Sequence, residues 1–197
     1  MASLSRPPIR VRFKKDHVTF TDLEGGLISG FYGKKYNGYF NDNVNWFNTA
    51  NQTDSTISTS INNFGTSGDG FSWQWLGYFK IGSLSSVNFQ TSSDDASYVW
   101  AGATAVSGYT TGNAIVNNGG THGLQTQSGT FTPTFSDVYV SGGYTPIRIQ
   151  FGELGGGSSM TFRYNIGGGY VTDGSEYYFH DADNITNQFN FYWQLGT

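Results

Sequence analysis

Two adjacent carboxylates, Asp94 and Asp95, stand in the stretch Thr91–Gly102, TSSDDASYVWAG. An apolar alternating run ends just before them, and another, Tyr98-Val99-Trp100, follows. In a chain of 197 residues with 14 acidic and 10 basic side chains, this pair is the sharpest local chemistry. Three roles suit it: an Asx-type turn, an acid/base dyad, or oxygen ligands of a hard cation. In an extended strand, neighbouring side chains point to opposite faces. Two adjacent carboxylates therefore reach one ion only if the backbone between them leaves the strand conformation. A glycosidase needs two carboxylates across a cleft, roughly 5–9.5 Å apart. Asp94 with Glu153 could span that distance. Asp95 beside Asp94 makes an odd acid/base pair, so the chain reads as non-enzymatic.

Other candidates carry less. Asp181-Ala182-Asp183-Asn184 begins like a calcium loop but lacks the glycine at the sixth position and the glutamate at the twelfth. It reads as a polar turn. His122, in the loop Asn117–Gly123, has no second imidazole nearby and is not expected to ligate a metal. The glycine runs 155–157 and 167–169 precede neither a helix nor a lysine, so phosphate binding has no support. With no cysteine, disulfides and thiolate metal sites are excluded.

The elements that must position these residues read as strands. Glycine is abundant at 28 residues and aromatics make up 17%, with Ser, Thr and Asn between short β-branched and aromatic runs. This is the profile of an all-β chain with many turns. Phe71–Ile81, FSWQWLGYFKI, alternates most strongly, with Phe71, Trp73 and Trp75 on one side and Gly77 expected to mark a bulge or bend. Val87–Gln90 and Ser97–Ala101 flank the Asp pair as strands. Tyr144–Phe151, YTPIRIQF, is another, with Glu153 at its exit; Met160–Ile166 is expected to return beside it as a hairpin. Leu27–Phe40 reads as a short strand, a turn at Lys34-Lys35 and an irregular segment. Residues 41–70 read as an ordered but irregular excursion anchored by Trp46, Phe47, Ile57, Ile61 and Phe64. Strands are also expected at Tyr177–Phe179 and Phe189–Trp193. The fold class is an antiparallel two-sheet β-sandwich with negligible helix.

Charge divides the chain. Arg6, Arg10, Arg12, Lys14 and Lys15 are half of all basic residues, and the remaining five face 14 acidic ones. Residues 1–22 form a basic N-terminal arm or first strand, in which Ile9–Phe13 alternates; residues 23–197 form the sandwich. An acidic body disfavours nucleic acid. It suits cations and neutral polyols. No apolar run reaches transmembrane length, so membrane insertion is not expected. No secretory leader is expected either, because no apolar segment follows the basic N-terminus.

Three blocks in order resemble a known family. They are GLISGFY (26–32), then FSWQWLGYFK with VNFQTSSDDASYVWAG, then YTPIRIQFGE with its glycine loop and return strand. Together they resemble the sugar-binding β-sandwich of anthrax protective antigen and of yeast flocculins and adhesins. The second and third blocks are also similar to domains in structural proteins of marine tailed phages. The resemblance implies that Asp94 and Asp95 are joined by a cis peptide and bind one Ca²⁺. It implies a third side-chain ligand at Glu153, where flocculins usually carry Asn, and loop carbonyls near Gly155 and Gly157. Ca²⁺ takes six to eight oxygens, so this set leaves about one to three for water or a sugar diol. The glutamate raises the negative charge of the site and could close it to sugar.

The expectation is a non-enzymatic virion adhesion module of a phage. It would bind a cell-surface glycan through Asp94, Asp95 and Glu153 and their calcium. It would contact other virion proteins through the arm and could form a homo-oligomer. The rivals are a soluble, extracellular calcium-dependent lectin and a purely structural decoration domain with an unused site.

Overall fold

The computed structural model describes residues 27–64, 68–134, 137 and 143–181. The expected arm and the Phe189–Trp193 strand lie outside these residues, as do positions 182–184 of the acidic stretch. The described chain forms eleven strands: β1 (Leu27–Ser29), β2 (Phe31–Asn37), β3 (Gln52–Ser58), β4 (Phe71–Lys80), β5 (Val87–Asp94), β6 (Ser97–Ala101), β7 (Val116–Asn118), β8 (Gln125–Phe131), β9 (Tyr144–Glu153), β10 (Ser159–Asn165) and β11 (Tyr178–Asp181). The helical elements among the described residues are single turns, at Trp46–Asn48, Ala103–Val106 and Thr111–Asn113. None of the described helices is long and apolar enough to cross a membrane.

The strands make two antiparallel sheets. The large one runs β1-β11-β4-β9-β6-β7, with β2 also on β4 and β3 on β2; the small one runs β10-β5-β8. The expected all-β sandwich is therefore observed. Phe71, Trp73 and Trp75 of β4 and Ile147, Ile149 and Phe151 of β9 face Phe89 of β5 and Met160 and Phe162 of β10 in a dry core between the sheets.

The other face of the large sheet is also covered. Phe40, Val44 and Phe47 from one connection and Ala105 and Tyr109 from another pack on Tyr36, Leu76, Tyr78, Tyr98 and Trp100. That second core explains why β4 and β9 are buried on both faces. The polar positions beneath it bond to one another only in part, since Gln74 Nε2 and Gln150 Oε1 find no hydrogen-bond partner. Arg148 donates to the Ala105 carbonyl at 2.8 Å and to Gln74 Oε1 at 2.6 Å, with its guanidinium 4.1 Å from the Tyr109 ring centroid. A planar, weakly hydrated cation suits such a stacked, buried position.

Three local expectations are corrected. Lys34 and Lys35 do not form a turn; they lie inside β2, which pairs with β3 on one side and β4 on the other. Their stems run over aromatic surface, with Lys35 Nζ 4.7 Å from the Phe71 centroid, so two strand partners and a ring outweigh the Gly-Lys-Lys turn signal. The excursion 41–70 is not wholly irregular, because Gln52–Ser58 forms edge strand β3. Met160–Ile166 is not the hairpin partner of β9. β10 pairs with β5 in the other sheet, Phe162 opposite Thr91. The connection 154–158 crosses between sheets instead of folding back.

Gly77 marks no bulge. Its pairing with Ile147 is in register, and a register shift lies instead in the β2–β3 ladder, where Thr53 is the extra residue opposite Lys35 and Tyr36. A Cβ at Gly77 would collide with the Phe179 carbonyl of β11 and lie 2.7 Å from the Phe31 ring. Gly77→Ala is expected to cost about 1–3 kcal/mol, as overpacking does. A lower urea midpoint at unchanged slope would show it.

Candidate functional site

Three connections change sheets at one end of the sandwich. β5 of the small sheet passes through Asp95-Ala96 into β6 of the large sheet. β7 passes through residues 119–124 to β8, and β9 passes through 154–158 to β10. Because β6 pairs with both β7 and β9, and β5 with both β8 and β10, the three crossings lie side by side. Asp94 ends β5, Asp95 lies in the middle crossing, and Glu153 ends β9.

The Asp94–Asp95 peptide is cis, as the resemblance implied. Asp94, Asp95 and Glu153 each offer one carboxylate oxygen within 4.8 Å of the others. Two oxygens on opposite sides of a calcium ion at about 2.4 Å stand about 4.8 Å apart. The three expected side chains thus meet at the spacing one such ion spans.

Their environments differ. Asp95 is 4% exposed and has both oxygens engaged. Oδ1 accepts the His122 N–H at 2.7 Å and Oδ2 accepts the Leu154 N–H at 3.0 Å. The middle crossing is therefore tied to both flanking ones. Glu153 is fully buried, and neither of its oxygens accepts a well-formed hydrogen bond. Burial, then the charges of Asp95 and Asp94, push its carboxyl up to about 7; the Gly155 N–H pulls the other way and Asp69 adds to the rise. Burial and then Asp95 raise the carboxyl of Asp94, while His122 opposes this. Burying the Glu153 carboxylate beside two others without a well-formed donor is costly unless a cation meets it.

The expected loop positions close the cluster on one side. A Cβ at Gly157 would lie 2.9 Å from Asp94 Oδ2, so the loop backbone passes close to that carboxylate. Gly156 has φ of +99°, a conformation that favours glycine. The residue set fits a hard cation: three carboxylates, one of them orphaned, with a tight glycine loop beside them.

The supporting polar residues were not legible as site residues. Under the crossings the core turns hydrophilic. Ser97 Oγ donates to Thr91 Oγ1 at 2.8 Å and lies 2.7 Å from Ser93 Oγ, and Asn118 Nδ2 donates to Ser93 at 2.9 Å. The run Thr91-Ser92-Ser93 was the available signal. Asp42 pins the β7–β8 crossing from the other side, accepting the Tyr98 hydroxyl at 2.9 Å and the Gly120 N–H at 3.1 Å. His122 acts here through its backbone; its ring nitrogens lie 2.8 Å from the Gly123 carbonyl and 3.3 Å from that of Asn118. Asp69, from the connection before β4, accepts the Gly156 N–H at 3.3 Å.

Comparison with known proteins agrees with the geometry. A family model described as the GLEYA domain matches residues 71–166. The PA14 sugar-binding domain from an RTX adhesin superposes with TM-score 0.61 at 18% identity, covering 78% of this chain and 99% of that one. The epithelial adhesin 9 A domain from Candida glabrata in complex with Galβ1-4GlcNAc superposes at 0.58 and 13% identity, covering 84% and 96%. An anti-sigma factor domain-containing protein from Clostridium clariflavum superposes at 0.56 and 10% identity over 77% of this chain; the chain spans 47% of that protein's length. No curated protein matches the sequence. The resemblance read from the three sequence blocks is borne out.

Two outcomes follow from the geometry. Asp95→Ala is expected to destabilise the metal-free chain by about 1–3 kcal/mol, because two part-buried N–H groups lose a charged acceptor; Asp94→Asn, which relieves repulsion, is expected to be neutral or stabilising. Chemical denaturation in chelator separates them. Glu153 titrates above its ordinary 4.5, so it favours the metal-free fold fully below about pH 4.5 and loses that contribution as pH rises through about 7. The midpoint of metal-free unfolding should therefore fall over this interval, and less so in Glu153→Gln.

Proposed function

We propose that this chain, whose residues 71–166 match the GLEYA domain and whose sandwich is that of PA14 domains, is a non-enzymatic carbohydrate-binding module of the adhesin type. The observation that carries the reading is the convergence of Asp94, Asp95 and Glu153, with both Glu153 oxygens buried and undonated. A divalent cation, Ca²⁺, is the ligand this set suits: hard oxygens, high negative charge and neighbouring carbonyls at Gly155 and Gly157. When bound, the ion supplies coordination positions for vicinal sugar hydroxyls. The protein orients it, because Asp95 holds the crossings and Asp94 abuts the glycine loop.

The Candida adhesin domains that share the fold are complexes with Galβ1-3GlcNAc and Galβ1-4GlcNAc, which supports a cell-surface glycan as the class of ligand. A hydrolytic reading has less support. The carboxylates crowd one another, and Asp95 already spends both oxygens on backbone N–H groups.

The finer reading assigns the module to a phage particle. The likeness to phage structural proteins and the five basic residues of the arm support it, the arm serving as a tether to acidic virion surfaces. A free extracellular lectin would share the site but not need the arm.

Calorimetric titration with CaCl₂ is expected to show one site and a raised thermal midpoint, lost in Asp94→Asn/Asp95→Asn. A glycan array is expected to show binding that chelator abolishes. Calcium binding without any glycan would favour the structural decoration role, and no response to calcium would sink the cation reading. Deleting residues 1–22 is expected to abolish assembly on particles while leaving glycan binding intact.

A further inference from the structure

The carbonyl donors of a cation site on the glycine loop need a fixed orientation, and a loop of three glycines does not supply it alone. Gly155, Gly156 and Gly157 offer no side chain to hold them, and glycine is the most permissive residue. Two acidic side chains lie against the loop, and one of them bonds to it. Asp94 Oδ2 lies against Gly157, 2.9 Å from where a Cβ would stand. Asp69 Oδ1 accepts the Gly156 N–H at 3.3 Å, and the Asp69 carboxyl carbon would lie 3.7 Å from a Cβ at Gly155.

The peptide between Gly155 and Gly156 is trans, since Asp94–Asp95 is the one cis bond among the described residues. In a trans peptide the N–H and C=O point in opposite directions. A carboxylate that draws the Gly156 N–H towards itself therefore turns the Gly155 carbonyl away from itself. Asp69 is itself held in place from behind. The Gly38 N–H donates to the Gly70 carbonyl at 2.7 Å, fixing the entry to β4, whose first residue Phe71 pairs with Glu153.

We infer that Asp69 is a positioning residue of the cation site: by binding the Gly156 N–H it aims the Gly155 carbonyl at the ion held by Asp94, Asp95 and Glu153. The inference rests on the cation reading above. It adds a fourth carboxylate, contributed by a connection that precedes β4 and lies far in sequence from the other three. Asp69 touches the loop and not the ion. Partners of this kind commonly change metal affinity by about 10–100-fold when removed.

The test uses the full chain, with CaCl₂ as titrant and calorimetry as readout. Asp69→Ala is expected to weaken calcium affinity about tenfold. Asp69→Asn keeps an acceptor oxygen at the same place and is expected to stay within about threefold of the wild type. The thermal midpoint in chelator is expected to be unchanged in Asp69→Asn, and the amide signal of Gly156 in a ¹⁵N–¹H spectrum to move upfield in Asp69→Ala before any calcium is added. Equal weakening in both variants would mean that Asp69 acts only through its charge and would overturn the aiming role. Unchanged affinity in both would overturn it as well, while leaving the site itself standing. A wild-type chain that takes up no calcium would instead overturn the cation reading and the role of Asp69 with it.

Discussion

The carboxylate of Asp95 accepts one backbone N–H from the crossing before β8 and another from the crossing before β10. It sits in a third crossing between them, so one side chain ties together the three crossings at this end of the sandwich. Each crossing interrupts a ladder of strand hydrogen bonds and leaves part-buried backbone donors without a strand partner. A charged acceptor is stronger than a neutral one in that setting. The same end of the sandwich is lined with hydroxyls and an amide, from Thr91, Ser93, Ser97 and Asn118, which bond to one another. The apolar core gives way there to a polar one.

That arrangement has an electrostatic consequence. Asp95 must be close to two further carboxylates, because Asp94 precedes it and Glu153 ends the neighbouring strand β9. Its own donors do not serve them. Glu153 is left buried with undonated oxygens and a carboxyl raised to about 7, burial being the larger cause and its acidic neighbours the next. The metal-free fold therefore carries a concentration of unfavourable charge at the end that its backbone depends on. A protein whose only purpose at this end was a stable join would gain nothing from Glu153. A cation bound here would relieve the repulsion and supply the missing partner at once, which is the physical basis of the proposed binding role.

The rest of the molecule is organised to hold this end rigid. The large sheet is buried on both faces, by the inter-sheet core on one side and by the connections around Phe40, Phe47, Ala105 and Tyr109 on the other. The outer connections do more than cover apolar surface. Asp42 reaches from the first of them to Gly120 in the β7–β8 crossing, and the Gly38–Gly70 bond anchors the segment that carries Asp69. The exposed apolar side chains beside the site, Leu124 and Leu154, lie on the two crossings that Asp95 joins. The scaffold shared with PA14 and adhesin domains thus presents loops of this chain's own composition around the carboxylates.

Much of this was legible in the residues. The alternation of Phe71, Trp73 and Trp75, the run into the Asp pair and the strand YTPIRIQF each announce a strand, because side chains on a pleated ribbon repeat every second residue. The Asp94-Asp95 pair and Glu153 stood out by chemical type and by likeness to a family. What local pattern could not decide is which strand lies beside which. Met160–Asn165 reads as a hairpin partner of β9 when only the intervening glycines are considered, yet it joins β5 in the other sheet. Lys34 and Lys35 read as a turn until β3 and β4 flank them. Asp69, Asp42 and His122 are distant in sequence from the pair and carry no motif. Asp69 and Asp42 each accept a backbone N–H, and the backbone N–H of His122 donates to Asp95, across distances that only the folded chain closes. Residue pattern alone settles the central strands β4, β5, β6 and β9 and the kind of chemistry, but neither edge strand β3 nor the course of β2. The tertiary structure alone decided that three crossings meet at one carboxylate, because pairing between sheets depends on contacts that no local periodicity records.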